Sequence, residues 1–336
     1  MNVSEEGPIV FITGMLRAGT TFVQKVLNNH PAMKVGYQPN FHRFLELKKD
    51  FLKSVGVETQ FPLEHRFRDS MYNQSHFEKY VLDFLRESGL EYLIPVVNPD
   101  SHITHSGSKE VLCEEFIPSL LELGVDVIHI IRHPFDVIRS MSMGSSKTFV
   151  GMSRPLLFDL RNWRKSVAYR ILCSDVQGYH PVRYEDLVGD TLGCFDCLFE
   201  KLGVLPATGQ IIGSLQDDNG GLWEGNSSFS DSVERSEISL PIETRGYIST
   251  VCRPEMKWLG YEGGRDKDSS VTDLSGYVEI NPVERSNLPP DYSSSKLNLD
   301  AEARRIEAVS DSTSTWDRQL FFSEKVFKEL RSVVMA

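Results

Sequence analysis

The stretch "PIVFITGMLRAGTTF", residues 8–22, decides the fold. Its first seven residues form a largely apolar run rich in β-branched side chains, which is typical of a strand buried in a parallel sheet. Gly14 ends that run, and from Gly19 onward apolar residues recur at helical spacing as far as Pro31. A strand, a glycine-containing loop and a helix in this order are the framework of a phosphate-binding loop.

The loop departs from the usual nucleoside-triphosphate pattern, G-x-x-x-x-G-K-[ST]. Gly14 and Gly19 have the correct spacing and Thr21 matches the last position, but Thr20 stands where the lysine belongs. Arg17 lies inside the loop instead. The free N–H groups of a helix start, two hydroxyl groups and a planar guanidinium all suit a phosphate or sulfate group. The pattern therefore predicts an anion site that lacks the lysine with which nucleoside triphosphatases contact the γ-phosphate.

A second motif follows the apolar run "VDVIHIIR", residues 125–132, which predicts another buried strand. In many P-loop NTPases such a strand ends in an aspartate that helps to hold magnesium. Here it ends in Arg132, which favours an anion site without magnesium. Ser140 lies eight positions further, about two turns along the helix that Pro134 begins. Arg132 and Ser140 can together hold a second phosphate, although each residue is commonplace by itself.

The rest of the chain continues the alternation of strands and helices. Apolar periodicity predicts helices over residues 40–53, 75–88 and 156–175, and a third strand with its exit lies within 179–188. Such alternation predicts an α/β fold of the P-loop-containing nucleotide-binding type, with a parallel sheet and helices on both faces. Beyond about residue 263 the sequence is polar and rich in turn formers. We therefore divide the chain into a domain over residues 1–262 and a C-terminal extension, 263–336, that ends in a helix.

Composition excludes several classes of function. The formal net charge of −11 over 336 residues argues against a nucleic-acid binder, so any anion site must be a local basic pocket. No stretch approaches the length of a membrane-spanning helix, and acidic residues occupy the start where a signal peptide is basic. The five cysteines are scattered, which indicates reduced thiols, and "HITH", residues 102–105, lacks a third ligand. We expect a cytoplasmic protein without a membrane span or a metal site, and its oligomeric state stays open.

The motifs together resemble the sulfotransferase family that uses 3'-phosphoadenosine 5'-phosphosulfate (PAPS). Residues 8–31 look like the family's 5'-phosphosulfate loop, and "IIRHPFDVIRSM", residues 130–141, looks like its 3'-phosphate motif. "VRYEDLV", residues 182–188, resembles a third landmark, in which a tyrosine lies near the adenine; Tyr184 takes that place. "GNSSF" and "MKWLGY" are similar to late stretches of bacterial and Golgi-type members, which also carry arginine rather than lysine in the loop. The resemblance runs from about residue 8 to 262.

The resemblance implies a reaction and a set of binding residues. PAPS would be the co-substrate, adenosine 3',5'-bisphosphate the product, and no metal would be required. The acceptor would be a hydroxyl, or secondarily an amine, of a small metabolite or a sugar. The residues that would bind the nucleotide are Arg17, Ala18, Gly19, Thr20, Thr21, Phe22, Arg132, Ser140 and Tyr184, and Arg17 would also act in catalysis.

The general base is harder to assign from the resemblance. Cytosolic relatives carry a Lys-x-His stretch, but here Lys109 is followed two positions later by Val111. Tyrosylprotein-type relatives place a glutamate where this chain has Gln38, which cannot accept a proton. His42 lies one helical turn beyond Gln38 if a helix begins near Pro39, and histidine is the commonest catalytic base. We therefore predict His42 as the base. Four other candidates remain: Glu46, His102, His105 and Glu110.

Two other functions stay open at this stage. One is a kinase or another P-loop NTPase, which would depend on ATP and magnesium. The other is a non-catalytic nucleotide-binding module on the same fold, and Gln38 at an expected base position supports it.

Overall fold

The computed structural model describes a chain with two compact units. The described residues are 7–56, 74–95, 102–142, 156–212, 215, 240, 242–261, 295–318, 320–321 and 323–336. The first unit draws on residues Met1–Leu47, Glu78–Arg132 and Cys173–Glu234 of the chain. The second draws on residues Lys48–Phe77, His133–Leu172 and Arg235–Ala336.

The first unit contains a five-stranded sheet whose strands are all parallel. The strands are β1 (Ile9–Gly14), β2 (Met33–Tyr37), β3 (His105–Lys109), β4 (Asp126–Ile131) and β5 (Tyr179–Arg183). Their order across the sheet is β2-β3-β1-β4-β5. The central position of β1 confirms the α/β fold with a parallel sheet that the sequence predicts.

The described residues also form thirteen helices of the α type, divided between the two units. The first seven are α1 (Thr20–Asn28), α2 (Phe41–Ser54), α3 (Gln74–Ser88), α4 (Ile117–Glu122), α5 (Pro134–Ser142), α6 (Leu156–Leu172) and α7 (Tyr184–Gly189). The others are α8 (Thr191–Lys201), α9 (Thr208–Ile212), α10 (Ile242–Val251), α11 (Arg253–Trp258), α12 (Ser295–Ser310) and α13 (Glu324–Met335). Short 3₁₀ turns cover Leu90–Tyr92 and Glu114–Phe116. No described helix is both long enough and apolar enough to cross a membrane.

The sheet is covered on both faces. Phe11 and Ile12 are neighbours on β1, so their side chains point to opposite faces, and both are fully buried. The Phe11 ring stacks on that of Phe44 from α2, with 5.4 Å between the ring centroids. Phe44 in turn meets Phe116 edge to face at 4.9 Å. This aromatic group fixes α2 against the middle of the sheet.

Strand β3 is polar, "HSGSK", and yet all five of its residues are buried. Gly107 is required in its middle because a Cβ atom there would lie 2.1 Å from the carbonyl oxygen of Val10 on β1. The strand is held by its two neighbours, β1 and β2, rather than by apolar side chains of its own.

The second unit is helical, and charged side chains hold its C-terminal part. Glu302 of α12 is buried and accepts hydrogen bonds from Arg164 and Arg161 of α6. Burial alone would raise the pKa of Glu302, but the two guanidinium groups hold that pKa at about 2. Arg305, one turn further, pairs with buried Glu255 of α11. The domain boundary that we predict near residue 262 lies outside the described residues.

Candidate nucleotide and catalytic site

The loop after β1 joins the sheet to the start of α1. Gly14 packs so closely on β4 that a Cβ atom would lie 2.3 Å from the carbonyl oxygen of Ile130. The loop then turns through a hydrogen bond from the N–H of Ala18 to the carbonyl of Met15 (3.1 Å), and Gly19 adopts a φ of 102°. Such a φ favours glycine, since it is strained for any residue with a Cβ.

The N-terminus of α1 is suited to an anion. The N–H of Phe22 donates to the carbonyl of Gly19 (3.0 Å), so the N–H groups of the preceding residues lie before the first helical hydrogen bond. The first turn contains no acidic residue, and the N-cap residue is Gly19, which has no side chain to cap the helix. The positive end of the helix dipole is therefore not neutralised by the helix's own side chains.

Backbone strain is concentrated at one edge of the sheet. Because the strands are parallel, their carboxyl ends share an edge, which we call the carboxyl edge. Within the described ranges, the non-glycine residues with positive φ are Arg17 (65°), Gln38 (46°) and Leu112 (59°). They lie in the loops after β1, β2 and β3, three neighbouring strands. Such conformations cost roughly 1–3 kcal/mol each and cluster at functional sites.

These three loops are tied to one another by the backbone. The N–H of Gln38 donates to the carbonyl of Lys109 at 2.9 Å, and the N–H of Leu112 donates to the carbonyl of Gly14 at 3.1 Å. The phosphate loop, the exit of β2 and the exit of β3 are thus one connected surface. Arg17 extends from it with an exposed side chain.

Arg132 and Tyr184 reach the same loop from the far side of β1. Arg132 follows β4, and its Nη1 donates to the carbonyl oxygen of Arg17 at 3.3 Å. Its guanidinium carbon lies 4.3 Å from the centroid of the Tyr184 ring. Tyr184 follows β5, is 3% exposed, and contacts Gly19 so closely that a Cβ atom on Gly19 would lie 2.4 Å from the ring. Four residues that the sequence selected are therefore together: Arg17, Gly19, Arg132 and Tyr184.

The other predicted nucleotide residues occupy different environments. Ala18 is fully buried and Thr20 is 4% exposed, whereas Thr21 is half-buried. The Phe22 ring packs edge to face on Phe195 of α8, 5.5 Å between centroids, so its side chain belongs to the core. Ser140 lies on α5 in the second unit and is half-buried.

Two of the candidate bases lie at the wrong end of a strand. His105 begins β3, and exposed His102 precedes it, so both are at the amino edge of the sheet, opposite the phosphate loop. His105 Nε2 donates to the carbonyl oxygen of Leu202 at 2.9 Å, and burial lowers the pKa of this histidine. His105 therefore supports the loop after α8, and neither histidine is placed to serve the phosphate loop.

His42 and Glu46 lie on the outer side of α2. Phe44 and Leu47 form the buried side of that helix, at 0% and 3% exposure, while His42 and Glu46 are exposed. His42 is in the first turn, which begins directly after the strained exit of β2. Its side chain is free of the core and stands at the carboxyl edge.

Glu110 is the buried candidate at that edge. It follows β3, is fully buried, and its Oε1 accepts a hydrogen bond from the N–H of Asn40 at 3.2 Å. Burial raises the pKa of Glu110 to about 7. Its neighbour Lys109 is buried as well, which lowers the pKa of that ammonium group to about 8, and its Nζ lies 3.8 Å from the centroid of the Tyr37 ring. The sequence analysis did not select Tyr37 or Asn40 as residues of this edge. The only signal was for Asn40, because an asparagine directly before a helical pattern is typical of a helix N-cap.

Glu110 predicts a pH-dependent stability. Because its folded-state pKa is raised from 4.5 to about 7, the folded protein keeps a proton that the unfolded chain releases. Stability therefore falls as pH rises from about 4.5 to about 7, by an amount on the order of 3 kcal/mol. Glu110→Gln removes that loss, so we expect its free energy of unfolding to exceed that of the wild type at pH 8 but not at pH 5. Denaturant unfolding measures this, with exposed Glu91→Gln as control; an equal difference at both pH values would contradict it.

No group of three or more histidine, cysteine or acidic residues that could hold a metal ion occurs in the described part of the chain.

The fold and the site together define a P-loop-like α/β protein whose phosphate loop carries arginine. The profile of the sulfotransferase family matches residues 8–205, which is more than half of the chain. The chain belongs to the sulfotransferase family and is an enzyme of that class.

Comparison with solved structures gives matches to bacterial sulfotransferases at low identity. The sulfotransferase domain from the curacin biosynthetic pathway is 19% identical with a TM-score of 0.43; the match covers 73% of this chain and 96% of that one. The sulfotransferase domain from the Synechococcus PCC 7002 olefin synthase is 20% identical with a TM-score of 0.41, over 74% and 97%. Sulfotransferase STF1 from Mycobacterium tuberculosis H37Rv is 15% identical with a TM-score of 0.37, over 67% and 76%. No curated protein sequence matches the chain.

Proposed function

We propose that this sulfotransferase uses PAPS and transfers its sulfuryl group to a hydroxyl, or secondarily an amine, of a small metabolite or a sugar. One observation carries the proposal: the cation that follows β4, Arg132, donates to the backbone of the loop arginine, Arg17. Two guanidinium groups therefore lie at one site. In nucleoside triphosphatases the corresponding site has a lysine and a carboxylate side chain that helps to hold magnesium. That arrangement suits a ligand with two separate anionic groups and no metal.

The loop fits the 5'-phosphosulfate part of such a ligand. The start of α1 offers backbone N–H groups and the hydroxyl groups of Thr20 and Thr21, with no acidic residue in the first turn to oppose an anion. Arg17 adds a planar fork that matches phosphate and sulfate oxygens. We assign Ala18, Gly19 and Phe22 to this group through their backbone, because the side chains of Ala18 and Phe22 are buried.

Arg132 is our candidate for the 3'-phosphate, and the sequence assigns Ser140 to the same group. Arg132 is half-buried, so water screens its charge less than it screens the charge of a fully exposed arginine. Tyr184 lies beside it and, by resemblance, near the adenine. If a Ser140→Ala variant bound adenosine 3',5'-bisphosphate with unchanged affinity, the assignment of Ser140 to the 3'-phosphate would be wrong.

The chemistry requires charge stabilisation and one proton transfer. When PAPS is bound, a new S–O bond to the acceptor forms as the S–O bond to the 5'-phosphate breaks. Arg17 and the loop N–H groups would stabilise the negative charge that grows on that phosphate. Arg17 cannot supply a proton, since guanidinium stays protonated. His42 would take the proton from the acceptor hydroxyl.

Transfer of labelled sulfate tests the proposal. The purified chain, incubated with [³⁵S]PAPS and a panel of sugars, alcohols, phenols and amines, should label at least one hydroxyl acceptor without added magnesium. The Arg17→Ala variant, purified alongside, should label that acceptor at least about 100-fold more slowly, which would exclude a contaminating activity. Transfer from [γ-³²P]ATP that requires magnesium, with none from PAPS, would instead identify a kinase.

A further inference from the structure

The phosphate loop is held at two points by residues outside it. At one point, Arg132 Nη1 donates to the carbonyl oxygen of Arg17, whose φ of 65° is in the left-handed region. At the other, the Tyr184 ring contacts Gly19 so closely that only glycine fits. Arg132 and Tyr184 also contact each other, with 4.3 Å from the guanidinium carbon to the ring centroid. We call these two residues the Arg132–Tyr184 clamp.

The clamp acts on the part of the loop where geometry matters most. A left-handed arginine carries backbone strain, so its conformation persists only when its surroundings hold it. The hydrogen bond to Arg17 O and the packing on Gly19 flank Ala18, and together they fix three consecutive residues. The direction of the Arg17 side chain follows from that backbone.

We propose that the Arg132–Tyr184 clamp makes the geometry of the Arg17 loop depend on the phosphate that Arg132 holds, so that the 3'-phosphate contributes to turnover and not only to affinity. The inference rests on the proposed function, since it assumes that Arg132 binds the 3'-phosphate. Tyr184 is then a positioning residue: it is 3% exposed and acts through Arg132 and Gly19. Fixing the guanidinium from one side with a phosphate and from the other with an aromatic ring leaves its Nη1 in one place.

The clamp predicts a separation of turnover from binding. Tyr184→Leu removes the ring that orients Arg132 and packs on Gly19, so kcat at saturating PAPS should fall roughly 10- to 100-fold, the scale of a misplaced catalytic group. The Kd for adenosine 3',5'-bisphosphate should rise much less, because Arg132 itself remains. Tyr184→Phe keeps the ring and should recover most of the lost kcat. An equal loss in both variants would contradict the clamp.

A second readout does not depend on the reaction. Deuterium exchange into the peptide that spans residues 14–22 should be faster in nucleotide-free Tyr184→Leu than in the wild type. In the wild type, adenosine 3',5'-bisphosphate should slow this exchange more than 5'-AMP does at equal saturation. The control is Leu192→Ala on α8, where an exposed side chain is shortened and loop exchange should not change. If residues 14–22 exchanged at the wild-type rate in the Tyr184→Leu variant, the proposal would be overturned.

The two proposals fail in different ways. If wild-type protein binds no adenosine 3',5'-bisphosphate, the proposed function fails, while exchange in the nucleotide-free variants still tests the clamp. If Tyr184→Leu does not fold, Arg132→Lys replaces it. That variant keeps the charge but loses the planar group, and it should show the same loss of kcat and the same faster loop exchange. If Arg132→Lys changes affinity alone, the clamp is wrong.

Discussion

Replacing Arg17 by alanine should lower the rate of sulfuryl transfer by about 100- to 1,000-fold, the scale found when one donor to a developing oxyanion is removed. The charge on the leaving 5'-phosphate grows during the reaction, so the interaction with Arg17 is stronger in the transition state than in the ground state. Nucleotide affinity should change far less, because the N–H groups of the α1 N-terminus remain. Steady-state kinetics with PAPS, combined with calorimetry of the product nucleotide, separate the two effects.

The control for this experiment is another exposed arginine of the same unit. Arg86 pairs with Asp83 and Glu122 on the surface, and its side chain is 58% exposed. Arg86→Ala should leave both kcat and nucleotide affinity at wild-type values, since exposed ion pairs contribute little. If Arg17→Ala behaves like Arg86→Ala, the loop does not stabilise the leaving group and our role for Arg17 is wrong.

Replacing His42 by alanine should lower turnover by about 100- to 10,000-fold and leave nucleotide affinity nearly unchanged, as expected for the loss of a general base. His42 is exposed in the first turn of α2, directly after the strained residue Gln38. His42→Gln should be equally damaging, because glutamine keeps a hydrogen-bonding group but cannot accept the proton. Initial rates at saturating PAPS with the best acceptor measure the effect.

The chain offers a matched histidine for comparison. His102 is also exposed but lies before β3, at the amino edge of the sheet. His102→Ala should therefore keep wild-type turnover. If His42→Ala also keeps it, the base is elsewhere, and buried Glu110 becomes the first alternative because it is at the carboxyl edge. Glu110→Gln would then be the variant that loses activity.

The sequence was most informative where one segment alone determines a structure. Strands β1 and β4 are apolar and buried, and their predicted ranges, 8–14 and 125–132, agree with Ile9–Gly14 and Asp126–Ile131 to within one residue at each end. The spacing of the glycines and the arginine in the loop likewise predicts a phosphate site. These features are local, so a single stretch carries the whole signal.

Strands β2 and β3 were not predicted, and the reason is physical. The sequence of β3, "HSGSK", has neither apolar alternation nor β-branched residues. It forms a strand because Gly107 allows close contact with Val10 and because its neighbours pair with it on both sides. Pairing between residues almost a hundred positions apart leaves no trace in a single sequence.

Helix α12 was missed for a related reason. The sequence indicated a polar extension that ends in a helix, and α13 confirms that last helix. In α12, however, the buried side is marked by Glu302 and Arg305, whose partners are Arg164 and Glu255. Charged residues at helical spacing normally indicate a solvated face. Only the tertiary structure shows that these charges neutralise one another in the interior.

Tyr184 illustrates the same limit within the site. The sequence placed it near an adenine by resemblance, but its contacts with Gly19 and Arg132 depend on the order of β1, β4 and β5 in the sheet. Parallel pairing brings to one edge the three loops that follow Gly14, Ile131 and Arg183, which are far apart along the chain. The clamp could therefore not be inferred from spacing.

The central claim, that the Arg17 loop and Arg132 form a site for a nucleotide with a 3'-phosphate and no γ-phosphate, is tested most directly by calorimetry. Adenosine 3',5'-bisphosphate, 5'-AMP and ATP are titrated into the wild type and into Arg132→Ala, each with magnesium and with EDTA. We expect the wild type to bind the bisphosphate far more tightly than the other two, equally with and without metal. Arg132→Ala should lose about 10- to 100-fold of that affinity, the value of a charge-assisted contact. Tight, magnesium-dependent binding of ATP, or an Arg132→Ala variant with wild-type affinity for the bisphosphate, would contradict the claim.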